Sequence, residues 1–166
     1  MTKLAPSDFF LHRLAVVRLI AAASLLAIGA VHLQQYIVQD YRVIPTIGPL
    51  FLLNFIAGTV LGLYFLVPAR AHVTRVRLLA DTAAAISGMG FAVSGLVALI
   101  VSEHARLFGF MEHGYRFAIV FTIASEVVAI LALGTFLVLC PAAPRQRDSG
   151  RRGPAEPATV AAVTES

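Results

Sequence analysis

The fold is decided in the stretch His32-Leu-Gln-Gln-Tyr-Ile-Val-Gln-Asp-Tyr-Arg-Val-Ile-Pro-Thr-Ile-Gly-Pro-Leu-Phe-Leu-Leu-Asn54. It closes one long apolar run with a histidine, crosses a polar loop, and enters a second apolar run through two prolines. A helix of about 20 apolar residues is long enough to cross a ~30 Å hydrocarbon core. The stretch therefore predicts two membrane helices joined by a short polar loop.

The composition of the whole chain supports a membrane protein. Of its 166 residues, 58% are hydrophobic and 13% are charged, whereas a soluble domain carries about 25% charged residues. The net charge of +4 does not indicate a nucleic-acid partner, because the basic residues flank the apolar runs. The single cysteine, Cys140, excludes an internal disulfide and a cysteine-based metal motif.

Four apolar runs predict an all-α, transmembrane, antiparallel four-helix bundle. The predicted spans are residues 14–33, 48–67, 78–101 and 117–140. Residues 1–13 form a short polar N-terminal segment, and residues 141–166 are rich in Pro, Ala, Arg, Gly and Ser. This tail composition is typical of disorder.

The basic residues predict the orientation in the membrane. Ten of the thirteen Lys and Arg residues lie in or next to the N-terminal segment, the loop between spans two and three, and the tail. Cytoplasmic segments carry such an excess, so we expect a plasma-membrane protein with both termini in the cytoplasm. Arg18, one turn inside the first span, is expected to reach the membrane interface. Asp81 is expected to pair with Arg77, four residues before it.

The outer loops contain a repeated dipeptide. Tyr41-Arg42 recurs 74 positions later as Tyr115-Arg116, and each pair leads into a span with a polar residue several turns down, Asn54 in the first case and Glu126 in the second. This pattern predicts two duplicated helix pairs related by a two-fold axis along the membrane normal, as in some transporters. Coincidence is the alternative.

Glu126 is the sharpest functional signal in the sequence. It lies about ten residues into the fourth span, or ~15 Å deep at about 1.5 Å per residue. Intramembrane carboxyl groups are costly and usually face the bundle interior. Glu126 is therefore either a proton-titrating or cation-binding group, with Thr122 one turn away, or a neutral carboxyl that joins helices by hydrogen bonds to Asn54 or Ser94.

A metal site at the outer face is a weaker prediction. Imidazole and carboxylate groups there could hold Zn²⁺ or Cu²⁺; the candidate ligands are His32, Glu103, His104, Glu112 and His113. No pair of these residues has the His-x-x-x-His or His-Glu-x-x-His spacing that fixes ligands on a helix. The alternative is an ordinary solvated loop with no bound metal or other cofactor.

The chain also resembles known membrane proteins. Gly29-Ala-Val-His-Leu33, followed by Tyr41-Arg-Val-Ile-Pro-Thr-Ile-Gly-Pro-Leu-Phe-Leu-Leu-Asn54, resembles uncharacterised small four-helix membrane proteins common in actinobacteria. The similarity covers about residues 14–140. The architecture is also loosely similar to DoxX-like membrane proteins, which implies a redox- or quinone-linked accessory role. Neither resemblance assigns site residues.

These patterns favour a protein that binds or transports a small polar or amphipathic ligand between its helices. Tyr41, Arg42, Tyr115 and Arg116 would admit the ligand, and Asn54 and Glu126 would bind it. One alternative is an accessory subunit of a larger membrane complex, with a lipid-facing stripe of small residues such as Gly58 and Gly62. A homodimer is a separate alternative for the partner. The other is a DoxX-like redox protein. The chain has no nucleophile or phosphate-loop motif, so an enzyme is not favoured.

Overall fold

A computed structural model describes residues 6–68, 75–105 and 117–140. The described chain is helical throughout, with α1 at Pro6–Val38, α2 at Ile47–Leu66, α3 at Arg75–His104 and α4 at Phe117–Leu139. A short 3₁₀ turn, Tyr41–Val43, connects α1 to α2. Each of the four helices contains a segment long and apolar enough to cross a membrane. The protein is an all-α membrane protein built on four transmembrane helices.

Neighbouring helices run antiparallel around a ring. α1 packs against α2 and α4, while α3 packs against α4 and, less closely, against α2. α1 and α3 therefore lie diagonally and run in the same direction. We call the end of the bundle that carries the Tyr41–Val43 turn the upper end, and the end with the last residues of α2 the lower end.

Glycines bring α1 and α2 into close contact. A Cβ atom on Gly58 would lie 2.8 Å from the carbonyl oxygen of Leu25 and 3.0 Å from the nitrogen of Gly29. Gly62 is equally confined, because its Cβ would lie 2.6 Å from the Leu26 side chain. The expectation that Gly58 and Gly62 form a lipid-facing stripe for a partner is therefore wrong. Both are buried against α1 of the same chain.

The apolar core fills the lower half of the bundle. Small residues of α1 and larger side chains from several helices form this core. Leu25 of α1, Phe65 of α2, and Leu133 and Phe136 of α4 are each no more than 2% exposed. The rings of Phe65 and Phe136 meet edge to face, with centroids 5.4 Å apart. This packing closes the lower half, so that open space lies above it.

A buried ionic cluster joins three helices at the lower end. Arg18 is only 5% exposed, and its guanidinium lies 3.3 Å from Oδ1 of Asp81 and 3.0 Å from the carbonyl oxygen of Val67. The same carboxylate oxygen accepts hydrogen bonds from the Tyr64 hydroxyl at 2.8 Å and from Arg77 at 3.3 Å. The Arg77–Asp81 pair is confirmed. The expectation that Arg18 extends to the interface is wrong, because the carboxylate and the last carbonyls of α2 hold it inside.

The turn between α1 and α2 carries two residues with positive φ, Asp40 at 56° and Thr46 at 70°. The turn lies tightly over the start of α2, since a Cβ atom on Gly48 would lie 2.9 Å from the carbonyl oxygens of both Tyr41 and Arg42. Only glycine fits there without displacing backbone. As a result Tyr41 is buried at the upper end rather than exposed in a loop.

Candidate ligand-binding site

A cavity of about 350 Å³ lies in the upper half of the bundle. All four helices contribute to its wall, together with Tyr41 of the turn. The lining residues of the helices are Val31, His32 and Gln35 of α1, Ile47, Leu50, Phe51 and Asn54 of α2, Ser94, Gly95, Ala98, Leu99 and Ser102 of α3, and Ala118, Ile119, Thr122 and Glu126 of α4. No residue of the lower apolar core lines it. The cavity is therefore an upper pocket above a closed lower half.

Glu126 lies on the wall of this cavity and is 1% exposed. Its Oε2 atom has no hydrogen-bond partner in the described part of the chain. On the facing helix, a methyl group on residue 95 would overlap Oε1, so the absence of a side chain at Gly95 makes room for the carboxyl group. An unpartnered buried polar atom is costly, and a cavity is where a ligand can satisfy it.

The hydroxyl groups on the wall donate their protons to their own helices. Thr122 donates to the carbonyl of Ala118 at 2.8 Å, and Ser102 donates to that of Leu99 at 2.8 Å. The hydroxyl of Ser94 donates to the carbonyl oxygen of Phe91 at 2.9 Å. A hydroxyl has one proton and two lone pairs. These groups therefore offer the cavity acceptors rather than donors.

His32 presents the same polarity. Its Nδ1 lies 2.8 Å from the carbonyl oxygen of Ile28, and the ring is buried among cavity-lining residues. A carbonyl can only accept, so Nδ1 carries the proton and Nε2 of the neutral ring is an acceptor. The ring packs on Phe51, with centroids 5.1 Å apart, and Phe51 meets Tyr41 edge to face at the same distance.

Comparisons with known proteins leave the site to be interpreted from its own geometry. No protein-family model, curated protein or solved structure matches the chain. The resemblance to small actinobacterial four-helix proteins, and to DoxX-like proteins, therefore stays a prediction. What the cavity can bind follows from the side chains that face it.

Four of the predicted site residues share the cavity wall: Tyr41, Asn54, Thr122 and Glu126. Arg42 does not, because its side chain is 56% exposed and pairs with Asp40 at 3.0 Å. Tyr115 and Arg116 lie outside the described residues. The predicted hydrogen bonds from Glu126 to Asn54 or Ser94 are not formed in the described chain, although all three residues face the same space.

The predicted metal ligands are placed only in part. His32 is buried in the cavity wall. His104 is exposed, and its Nδ1 donates to the carbonyl oxygen of Ile100, one turn earlier in α3, at 2.8 Å. Glu112 and His113 lie outside the described residues, as does the side chain of Glu103. Within residues 6–68, 75–105 and 117–140, no three metal-binding side chains lie together. A Zn²⁺ or Cu²⁺ site at this end stays a prediction.

Sequence reasoning missed three residues of the cavity: Gln35, Gly95 and Ser102. Gln35 lies three positions after His32, on the same face of α1, and this spacing is a signal that the sequence contains. In the sequence Gly95 is one of many small residues in the third span. Its specific role depends on Glu126 of another helix, which no local pattern encodes.

Proposed function

We propose that the protein binds a small amphipathic ligand in the upper cavity, with Glu126 as the principal polar contact. The observation that carries this proposal is the coincidence of a buried, unpartnered carboxyl oxygen with a cavity of about 350 Å³. Ligand sites in proteins are typically concave, mostly apolar, and supplied with a few convergent polar groups. Asn54, Thr122 and Gln35 are such groups.

The ligand reaches the site from the upper end or from the membrane between α2 and α3. These two helices pack least closely among neighbours in the ring, and both contribute to the cavity wall. The lower end is filled by the core and the Arg18–Asp81 cluster. A site with one-sided access suits a binding protein and is also one of the two states that a transporter requires.

The distribution of Lys and Arg supports an outward-facing upper end. The positive-inside rule assigns the basic segment between α2 and α3, and both termini, to the cytoplasm. In this orientation the cavity takes its ligand from the extracellular side of the plasma membrane or from the outer leaflet. A partner complex is the alternative, but its proposed docking stripe is buried inside the chain.

Tryptophan fluorescence tests the proposal, because the chain has no tryptophan of its own. Phe51→Trp places a single reporter on the cavity wall, and Leu63→Trp places one on the surface of α2, where Leu63 is 52% exposed. Both proteins are reconstituted in nanodiscs and titrated with 2-phenylethanol, a small uncharged amphiphile. We expect a saturable change in emission for Phe51→Trp only.

The surface reporter controls for partitioning into lipid. Leu63→Trp is expected to respond in proportion to the amphiphile concentration, without saturation. Two charged analogues, 2-phenylethylammonium and phenylacetate, are titrated in the same way. If Phe51→Trp gives the same linear response to all three compounds, the cavity binds none of them and the proposed function is refuted.

A further inference from the structure

Several polar atoms on the cavity wall share one chemical character, which rests on the hydrogen-bond roles already described; beside them, the amides of Asn54 and Gln35 can both donate and accept. Glu126 supplies a carboxyl group, Thr122 and Ser102 supply hydroxyl lone pairs, and His32 supplies Nε2. Each of these atoms accepts hydrogen bonds, because the protons of the hydroxyls and of His32 Nδ1 are already donated to backbone carbonyls. A ligand that complements these acceptors donates hydrogen bonds.

Charge adds a second, independent restriction. Glu126 is the only Asp, Glu, Lys or Arg among the described residues that line the cavity. Two arginines of the described chain are paired outside the cavity: Arg42 with Asp40 in the exposed turn, and Arg18 with Asp81 at the lower end. Ionised Glu126 therefore has no counter-ion from the described protein. A buried charge requires a partner, and an anionic ligand would meet only repulsion.

The rest of the wall suits the body of an organic cation. Leu50, Leu99 and Ile119 supply apolar contact, and His32 and Tyr41 pack on Phe51 near the upper end. Aromatic faces attract cations, more strongly when water is excluded. Thr122 lies one helical turn from Glu126 toward that end, so acceptors continue along the path from the aromatic rings to the carboxyl group.

We propose that the ligand of the upper cavity is a small organic ammonium ion, whose N–H groups bind Glu126 and the surrounding acceptors while its apolar body lies against the aromatic and aliphatic wall. This inference rests on the proposed function and narrows it to one ligand class. The two arginines predicted to admit the ligand supply no charge to the described cavity wall. Arg42 lies outside the cavity wall, and Arg116 lies outside the described chain.

Protons compete with the ammonium ion for the same site. When Glu126 is protonated, binding of the cation releases that proton to solvent, so net charge in the cavity is conserved. Among the described residues, the other titratable groups that face the site are His32 from α1 and Tyr41 from the turn, and α2 and α3 contribute none. Protonation of His32 at low pH adds repulsion in the same direction. Cation binding should therefore weaken as the pH falls.

The test uses three probes that share one skeleton and differ in charge: 2-phenylethylammonium, 2-phenylethanol and phenylacetate. Each is compact enough for a cavity of about 350 Å³. The full-length Phe51→Trp protein in nanodiscs reports binding. We expect the ammonium ion to bind most tightly and phenylacetate least. Glu126→Gln in the same background should weaken ammonium binding by about 10-fold to 100-fold and weaken 2-phenylethanol binding by a much smaller factor, because the alcohol loses a hydrogen-bond partner but no ion pair.

Two controls protect the test against a misfolded variant. Glu126→Asp keeps the carboxylate and should retain most of the preference for the cation. The pH dependence is measured on the protein with Glu126 intact, where 2-phenylethylammonium stays protonated as the pH is lowered. His32→Gln removes the second titratable group, and ammonium binding by this variant should still weaken with falling pH.

The outcomes separate the inference from the proposed function. If 2-phenylethanol or phenylacetate binds as tightly as the ammonium ion, the cavity binds ligands but does not select cations, and only the inference fails. If ammonium binding is independent of pH and survives Glu126→Gln, the inference fails in the same way. If none of the three probes gives a saturable response, both the inference and the proposed function fail.

Discussion

The carboxyl group of Glu126 on α4 lies against the backbone of Gly95 on α3, in the space that a side chain at position 95 would occupy. The two residues face each other across the cavity wall, near the middle of their helices. The carboxyl group can be buried at this depth because the opposite helix has only a hydrogen atom there. The carboxyl group of Glu126 can keep this position only while residue 95 is glycine.

Gly95→Ala should therefore disturb the site without adding any charge. The new methyl group overlaps Oε1 and forces the carboxyl group to rotate, which we expect to cost about 1–3 kcal/mol of stability. Gly90→Ala on the same helix is the control, since no atom lies within 4 Å of its added Cβ. Thermal unfolding in nanodiscs compares the two. Equal melting temperatures would contradict the close contact.

Gly58→Ala should weaken the packing of α1 on α2. The added Cβ meets backbone atoms of Leu25 and Gly29, which cannot rotate away as a side chain does. We expect a loss of about 1–3 kcal/mol, measured by equilibrium unfolding in mixed micelles. Gly134→Ala is the matched control, because its Cβ meets nothing within 4 Å. A loss as large in the control would show that helical glycine itself, rather than the contact, matters.

Asp81→Asn should destabilise the lower end more than any change to an exposed pair. It leaves Arg18 buried without a counter-ion, which costs about 3–5 kcal/mol. Asp40→Asn breaks the Asp40–Arg42 pair, in which both side chains are more than half exposed, and should cost about 0–1 kcal/mol. The double change Arg18→Met with Asp81→Asn should recover much of the loss. No recovery would mean that the ion pair is not the source of stability.

Cysteine labelling should distinguish the cavity wall from the surrounding protein. In a Cys140→Ala background, Ser102→Cys places a thiol in the cavity lining, whereas Ser125→Cys places one beside Glu126 but outside that lining. Both serines are buried, at 5% and 8% exposure. We expect a small methanethiosulfonate reagent to modify only Ser102→Cys. Equal rates would show that the cavity is no more accessible than the packed interior.

The same background tests the orientation in the membrane. Val43→Cys lies in the turn at the upper end, and Pro68→Cys follows α2 at the lower end; both positions are exposed. If the positive-inside rule holds for this chain, a membrane-impermeant maleimide added to intact cells labels Val43→Cys only. Labelling of Pro68→Cys alone would invert the orientation and place the cavity mouth in the cytoplasm.

The sequence predicted the number of helices, their approximate places and the all-α architecture. These follow from hydrophobic length, which is a local property of the chain. α2 and α4 agree with the predicted spans to within one residue, whereas α3 and, most clearly, α1 extend beyond them: α1 runs over Pro6–Val38 where the predicted span was 14–33. Hydropathy detects only the apolar segment of a helix. The helix itself continues through the flanking polar residues for as long as its backbone hydrogen bonding continues.

The sequence predicted the candidate site less completely, for a physical reason. A polar residue within an apolar run is visible in the sequence, so Asn54, Thr122 and Glu126 could be singled out. Which helix faces which is decided by contacts between distant residues, such as Gly29 with Gly58. Arg18 was misjudged in the same way, because its partner Asp81 is 63 residues away. The internal duplication stays a prediction; the diagonal placement of α1 and α3 is compatible with it.

The distance in sequence between Arg18 and Asp81 has a consequence for biosynthesis. α1 and α2 are made first and pack through Gly29 and Gly58, yet the positive charge within α1 acquires its carboxylate only when α3 enters the membrane. Until then the described partners of the guanidinium are carbonyl groups near the end of α2 and the ring of Phe65, none of which carries a negative charge. Insertion of the third helix is thus the step that neutralises the first, and a chain truncated after α2 would expose an unpaired charge to membrane quality control.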